Sequence, residues 1–210
     1  MEGGKKKFFS NIGWLMGGKI VNMLLQFFVS LATARYLGPS NFGTINYVAA
    51  FVSFFSSIAS LGLAVIVIKE IATDKYDNNE VIWTSIWMRF GTAVLSTISI
   101  IALIFITNRD DSMIVQIAFL ESLSILFSSF DTINYYFQAR LLAKWSSIAG
   151  VLAYVGMSLY RIYLLATNAD IVWFAFATST DMIFLTVFLM IFYIRIEGFR
   201  PKFNWQRSEE

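Results

Sequence analysis

The sequence predicts an all-α, polytopic membrane helix bundle of six transmembrane helices. Composition is the first reason: of 210 residues, 57% are hydrophobic and 14% charged, against roughly a quarter charged in an ordinary soluble domain. Span length is the second, because crossing the hydrocarbon takes about 20 mostly apolar residues and six stretches reach that length, near residues 12–34, 42–66, 82–106, 113–137, 147–167 and 171–194. Continuity is the third. Lipid tolerates only helices or closed barrels, and these runs lack the ten-residue apolar/polar alternation of barrel strands.

The first span follows Lys5, Lys6 and Lys7 and ends in Ala32-Thr33-Ala34, an arrangement that resembles a secretory signal with its cleavage site. Its apolar run is about twice the length of a signal's, and Lys19, Asn22 and Gln26 interrupt it. It reads as a retained helix. The segment 34–47, ARYLGPSNFGTINY, then breaks the apolar run. Gly38 and Pro39 suit a tight turn there, and Phe42 re-enters the bilayer as span two begins. Spans three to six follow with short polar connections, and residues 195–210 form a basic segment, read as a cytoplasmic tail or the start of a linker.

Orientation follows from Lys and Arg, which concentrate in cytoplasmic loops. With the N-terminus inside, the inner side holds Lys5 to Lys7, Lys69, Lys75, Arg140, Lys144, Arg195, Arg200, Lys202 and Arg207, eleven of the sixteen, and the outer side holds Arg35 and Arg109. Both termini are expected in the cytoplasm of a cell whose inner or plasma membrane the chain crosses. Trp14, Tyr36, Trp83, Trp87, Trp145, Trp173 and Tyr193 fall near span ends, where amphipathic rings favour the interface.

Missing residue types exclude chemistry. The chain has no Cys and no His, so a disulfide, a thiolate or imidazole metal site, a cysteine nucleophile and a His-based triad are all excluded. No glycine-rich phosphate loop is present either. No metal, cofactor or nucleic-acid partner is expected, and transport would draw on an ion gradient, the membrane potential or a substrate gradient.

Six ionisable side chains lie within the spans: Lys19, Arg89, Glu121, Asp131, Arg161 and Asp181. Each costs about 2.5–3.5 kcal/mol near a helix centre on insertion scales. On span four, Glu121, Ser124, Ser128, Asp131, Tyr135 and Gln138 recur at intervals of three and four, a polar seam on one face. Similar seams are Lys19, Asn22, Gln26, Ser30 and Thr33 on span one, Asn46, Ser53, Ser56 and Ser60 on span two, and Ser85, Arg89, Thr92, Ser96 and Ser99 on span three. For the hydroxyls, close helix packing is a sufficient explanation; three cations and three acids point to a hydrated cavity or to paired charges. Depth along the helices, at about 1.5 Å per residue, matches Arg89 with Asp131 and Glu121 with Arg161, and leaves Lys19 and Asp181 without a partner.

Three stretches carry a resemblance. Ala34, Arg35, Leu37, Gly38, Pro39, Phe42 and Gly43 form AR-x-LGP-x-x-FG, while LGLAVIVIKEIA (61–72) and YYFQARLLAKWSSI (135–148) follow at the ends of spans two and four. Together they resemble the polysaccharide-type lipid-linked oligosaccharide flippases of the multidrug/oligosaccharidyl-lipid/polysaccharide exporter superfamily. The resemblance implies one lobe of a two-lobe flippase fold, with the cavity between two six-helix lobes. It also implies a polyprenyl-diphosphate-linked sugar as substrate, flipped across the bilayer for O-antigen, capsule or exopolysaccharide assembly.

An anionic head group crossing about 30 Å of hydrocarbon needs a hydrated, cation-bearing route. Lys19, Asn22, Gln26, Arg89 and Arg161 are the candidates for lining it. Glu121, Asp131 and Asp181 are the candidates for binding a coupling proton or sodium. With six spans, the chain is expected to act as a half or truncated transporter needing a second six-helix half or a second copy. The alternatives are a multidrug or small-solute exporter of the same superfamily and a non-transporting membrane subunit. A carboxylate-based glycosyltransferase ranks last.

Overall fold

A computed structural model describes residues 2–60, 62–74 and 76–198, with side chains from Phe9 onward. Lys75, the side chains of Lys5 to Lys7, and the segment 199–210 with Arg200, Lys202 and Arg207 lie outside the described residues. The secondary structure is α1 (Glu2–Ala59), α2 (Leu63–Ala72), α3 (Asn78–Thr107), α4 (Ser112–Ser128), a 3-10 turn (Ser129–Asp131), α5 (Thr132–Ala139), α6 (Ala143–Ala166) and α7 (Ile171–Glu197). The described residues are helical throughout apart from short connections. Five of the helical segments are long and apolar enough to cross a membrane: Phe9–Ala59, Asn78–Thr107, Ser112–Ala139, Ala143–Ala166 and Ile171–Glu197. The protein is a multi-pass membrane helix bundle.

The first of these segments is two helices end to end. Gly38, at φ 73° and ψ 171°, is non-helical, in a region of backbone space open essentially to glycine alone. Pro39 starts the second arm, where its missing N–H costs nothing. The neighbours of the two arms give their directions. In the first arm, the Trp14 carbonyl accepts from Ser147 Oγ at 2.8 Å and Tyr36 donates to the Ala169 carbonyl at 3.2 Å, so this arm runs parallel to α6. In the second, Tyr47 accepts from Asn108 at 3.4 Å and the Ala59 carbonyl from Thr92 at 3.0 Å, so it runs antiparallel to α3. Because α3 and α6 each run antiparallel to one of the parallel pair α4 and α7, the two arms point in opposite directions and the chain reverses at Gly38.

Other boundaries differ from the sequence expectation. The helix expected over 42–66 ends at Ala59, and α2 restarts after Gly62, which is left-handed at φ 63°. The helix expected over 113–137 is interrupted by the 3-10 turn at Ser129–Asp131. Asp111 and Asp77 cap α4 and α3 by accepting backbone N–H groups at 3.0–3.2 Å, the ordinary role of Asp at a helix start.

Two apolar clusters are stacked along the bundle. One joins Val48, Ile100, Ile104, Ile117, Ile125 and Phe174; the other joins Ile71, Ile82, Ile86, Ile133, Phe137 and Leu189. Between α4 and α7 the fit depends on small side chains, with Ala118, Ser122, Ala175 and Ser179 fully buried. Small residues let membrane helices approach closely. At the α6–α7 contact, a Cβ on Gly156 would sit 3.0 Å from the Phe184 ring.

Candidate functional site

The serines of the seams are mostly satisfied within their own helices. Ser124 Oγ donates to the Glu121 carbonyl at 2.6 Å, Ser128 to that of Ile125 at 2.7 Å, Ser85 to that of Val81 at 2.8 Å and Ser99 to that of Leu95 at 2.8 Å. Such back-bonding removes the hydroxyl as a free ligand group. The charges behave differently.

Glu121 lies about 14 Å along α4 from Ser112. Its side chain is 1% exposed, and neither carboxylate oxygen has a hydrogen-bond partner. It lines a cavity of ≈ 240 Å³ together with Arg161 on α6, Asp181 on α7, Gln26, Ser30 and Thr33 on the first arm of α1, and Asn46 on the second. The α4–α7 contact brings two acids to one place. Ser179 Oγ donates to the Leu120 carbonyl, which seats the turn of α7 holding Asp181 against the turn of α4 holding Glu121.

Arg161 supplies the cavity's positive charge. It makes no ion pair within 4 Å with either acid, since the one such pair among the described residues is Arg140 with Asp74. Its Nε is buried and unpaired. The expected match of Glu121 with Arg161 therefore appears as a shared cavity in place of a direct salt bridge. Asp181, expected to stand alone, joins the same cavity, because the long guanidinium side chain and the helix packing span the offset in depth that separated them on a one-dimensional count. Tyr154, Met157 and Thr178 also line the cavity and were not among the expected site residues. Their signal was present as heptad and i, i+3 spacing, Tyr154 to Arg161 on α6 and Thr178 to Asp181 on α7.

The remaining candidates are distributed elsewhere. Arg89 is 5% exposed and donates from Nη1 to Thr132 Oγ1 at 3.1 Å, with its guanidinium 5.8 Å from the Tyr135 ring centre. The expected Arg89–Asp131 ion pair is not formed. Asp131 instead accepts from Asn134 Nδ2, and Asn134 accepts from Ser146 Oγ. The Arg89 guanidinium is taken up by the hydroxyl of Thr132, the residue after Asp131, and a 3-10 turn at Ser129–Asp131 interrupts the span-four helix at this level. Lys19 is exposed on the first arm and lines none of this cavity. Asn22 is half-buried, its Nδ2 against the α6 backbone at Gly150, with Oδ1 buried and unpaired.

The AR-x-LGP-x-x-FG segment builds the hairpin. Gly38 permits the reversal, Leu37 is buried in the core, and Phe42 lines both the charged cavity and a second hollow beside Ala34. Arg35 is exposed, and a Cβ on Gly43 would meet nothing within 4 Å. Tyr36, inside the same segment, stacks on Phe174 with centroids 5.4 Å apart, tying the turn to α7.

A bundle of apolar helices enclosing a cavity with two acids, one arginine and two amides defines a polytopic membrane protein with a polar interior site. Its sequence matches the family described as polysaccharide biosynthesis protein over residues 8–209, and the chain belongs to that family. No curated protein and no solved structure matches the chain.

Proposed function

We propose that the chain translocates a polyprenyl-diphosphate-linked oligosaccharide across the membrane during cell-surface polysaccharide biosynthesis, as one lobe of a two-lobe flippase, and not as an enzyme. Family membership supports the pathway. The observation that carries the mechanism is the Glu121 carboxylate, buried in the cavity with both oxygens unpaired and two charged neighbours that do not neutralise it by contact. A structural ion pair would bring partners within hydrogen-bond distance, because an unpaired buried charge is costly. A group left open in this way is suited to take up and release a small cation.

Glu121 and Asp181 are the proposed carriers of the coupling proton or sodium, and Asp131, held by Asn134, is a secondary candidate. Arg161 competes with that cation for the same carboxylates. Gln26 and Asn46 offer amides to sugar hydroxyls. Lys19, exposed on the first arm, is positioned to meet the diphosphate in a cavity completed by a second six-helix lobe or a second copy. The two arms of α1 count as separate crossings in this reading. Six spans result, with both termini cytoplasmic in the inner or plasma membrane, as the eleven-to-two distribution of Lys and Arg supports.

The test is reconstitution with a fluorescent lipid-linked oligosaccharide under imposed proton or sodium gradients. Glu121→Gln and Asp181→Asn are expected to abolish gradient dependence while leaving the fold intact, and Lys19→Ala to weaken head-group capture. Translocation by a monomer would overturn the one-lobe reading. Gradient-dependent translocation in the Glu121→Gln/Asp181→Asn double variant would overturn the coupling assignment.

A further inference from the structure

The first arm of α1 carries a further groove, apart from the charged cavity and from the hollow beside Ala34. It is a groove of ≈ 550 Å³ between the first arm and α6, walled by Gly13, Trp14, Gly17, Val21, Val151 and Leu152. Two glycines open it. A Cβ at Gly13 or Gly17 would meet nothing within 4 Å, whereas one at Gly18 would sit 3.0 Å from Ser147 Cβ. Gly18 is thus explained by helix packing, and Gly13 and Gly17 are not. Glycine weakens a helix interior, and here its effect is to leave a trough with apolar sides.

One end of the trough is charged. Lys144, in the first turn of α6 and exposed, holds its Nζ 5.6 Å from the Trp14 ring centre and 5.9 Å from that of Trp145. A cation set between two indoles at a span end is an interfacial arrangement, and Trp14 belongs to the groove and to this cluster at once. With about 3.6 residues per turn, Gly13, Gly17 and Val21 lie on the side of the arm opposite Lys19 and Gln26, with the α6 contact between the two faces. The groove therefore faces away from the polar seam and from the cavity a second lobe would complete.

We infer that this groove is a binding site for one anionic bilayer phospholipid, an acyl chain lying in the Gly13–Gly17 trough and the phosphate meeting Lys144. Charge complementarity selects the occupant: an apolar slot of this kind accepts any hydrocarbon chain, and Lys144, the cation at its mouth among the described residues, favours a negatively charged head group, which is abundant in a cytoplasmic leaflet. The location selects bulk lipid over the carried isoprenoid, which has to reach the polar face on the other side of the arm. That exclusion of the isoprenoid rests on the proposed cargo; the groove and its cation do not.

Native mass spectrometry of the purified chain, released from micelles containing phosphatidylglycerol and phosphatidylcholine in equal amounts, tests it. A one-to-one phosphatidylglycerol complex is expected in several-fold excess over phosphatidylcholine. Gly13→Leu/Gly17→Leu, which fills the trough in space already open, is expected to lose the complex without lowering the thermal midpoint. Lys144→Gln is expected to lose the preference, and Lys144→Arg to keep it. Equal retention of the two lipids, or undiminished retention in the filled-groove variant, would overturn the assignment. So would displacement of phosphatidylglycerol by a stoichiometric polyprenyl phosphate, or spontaneous disulfide dimers of Gly17→Cys in membranes, which would give the groove to the carrier lipid or to a second copy.

Discussion

Arg89 and Thr132 join the two halves of the core: the guanidinium donates to the threonine hydroxyl across 3.1 Å, at the level where one apolar cluster gives way to the other. On α3, Arg89 falls between Ile86 of one cluster and Ala93 of the other; on the facing chain, Thr132 falls between Ile125 and Ile133. Thr132 donates its own hydroxyl to the Ser129 carbonyl at 2.8 Å, so the contact also secures the 3-10 turn. The joint is polar because a buried guanidinium needs partners for its charge, and Thr132 supplies one while Nε stays unpaired.

Thr132→Val should therefore destabilise the protein by about 1–3 kcal/mol, the cost of leaving a buried donor unsatisfied, and Thr132→Ser should recover most of it. Asp131→Asn should cost less, since its Asn134 partner is neutral. Thermal unfolding in detergent reads all three, and a larger loss for Asp131→Asn than for Thr132→Val would restore Asp131 as the true counterion of Arg89.

Gly38→Ala should cost about 1–3 kcal/mol, because φ 73° with ψ 171° lies in the glycine-only region. Gly43→Ala, five residues on in a regular helix with open space around its Cβ, should be neutral or slightly stabilising through helix propensity. Equal behaviour of the two variants in thermal unfolding would mean that the reversal at Gly38 does not form.

The direction of the spans is open to labelling, since the chain contains no cysteine. Single cysteines at Ser40, Asp110 and Asn168 should react with an impermeant maleimide added to whole cells, and one at Thr73 should react only after lysis. The reverse pattern would invert the bundle; labelling of Ser40 and Thr73 from the same side would turn the two arms into a single crossing.

Acid should weaken one surface contact selectively. Asp74 accepts from Arg140, which also donates to Asn78 at 2.9 Å, and Asn78 donates to Glu197 at 2.7 Å. The hydrogen bond from Arg140 holds the Asp74 carboxyl below its ordinary value. A depressed folded-state pKa contributes stability above the unfolded value of about 4, lost as pH falls through the folded one. The thermal midpoints of the wild type and Asp74→Asn should accordingly differ slightly at pH 7 and converge under strong acid. The difference should also shrink in high salt, because Asp74 is exposed. A gap that widens on acidification would contradict this sign.

The sequence by itself determined the solvent, the helical class and the punctuation of this protein. Spans of this length and apolarity leave the backbone no alternative in lipid, and Gly38-Pro39 marked the turn because their backbone restrictions are local. Membership of Glu121 and Arg161 in one site was legible from depth, since a helix rises uniformly. Tertiary structure alone decided that Asp181 joins them, through the small residues packing α7 on α4, and that Asp131 is held instead by Asn134. It also decided that Arg89 is held by a hydroxyl and an aromatic ring. Depth is one coordinate, fixed by position along each helix. Which faces meet is set by how helices pack and rotate about one another, and no single helix carries that information.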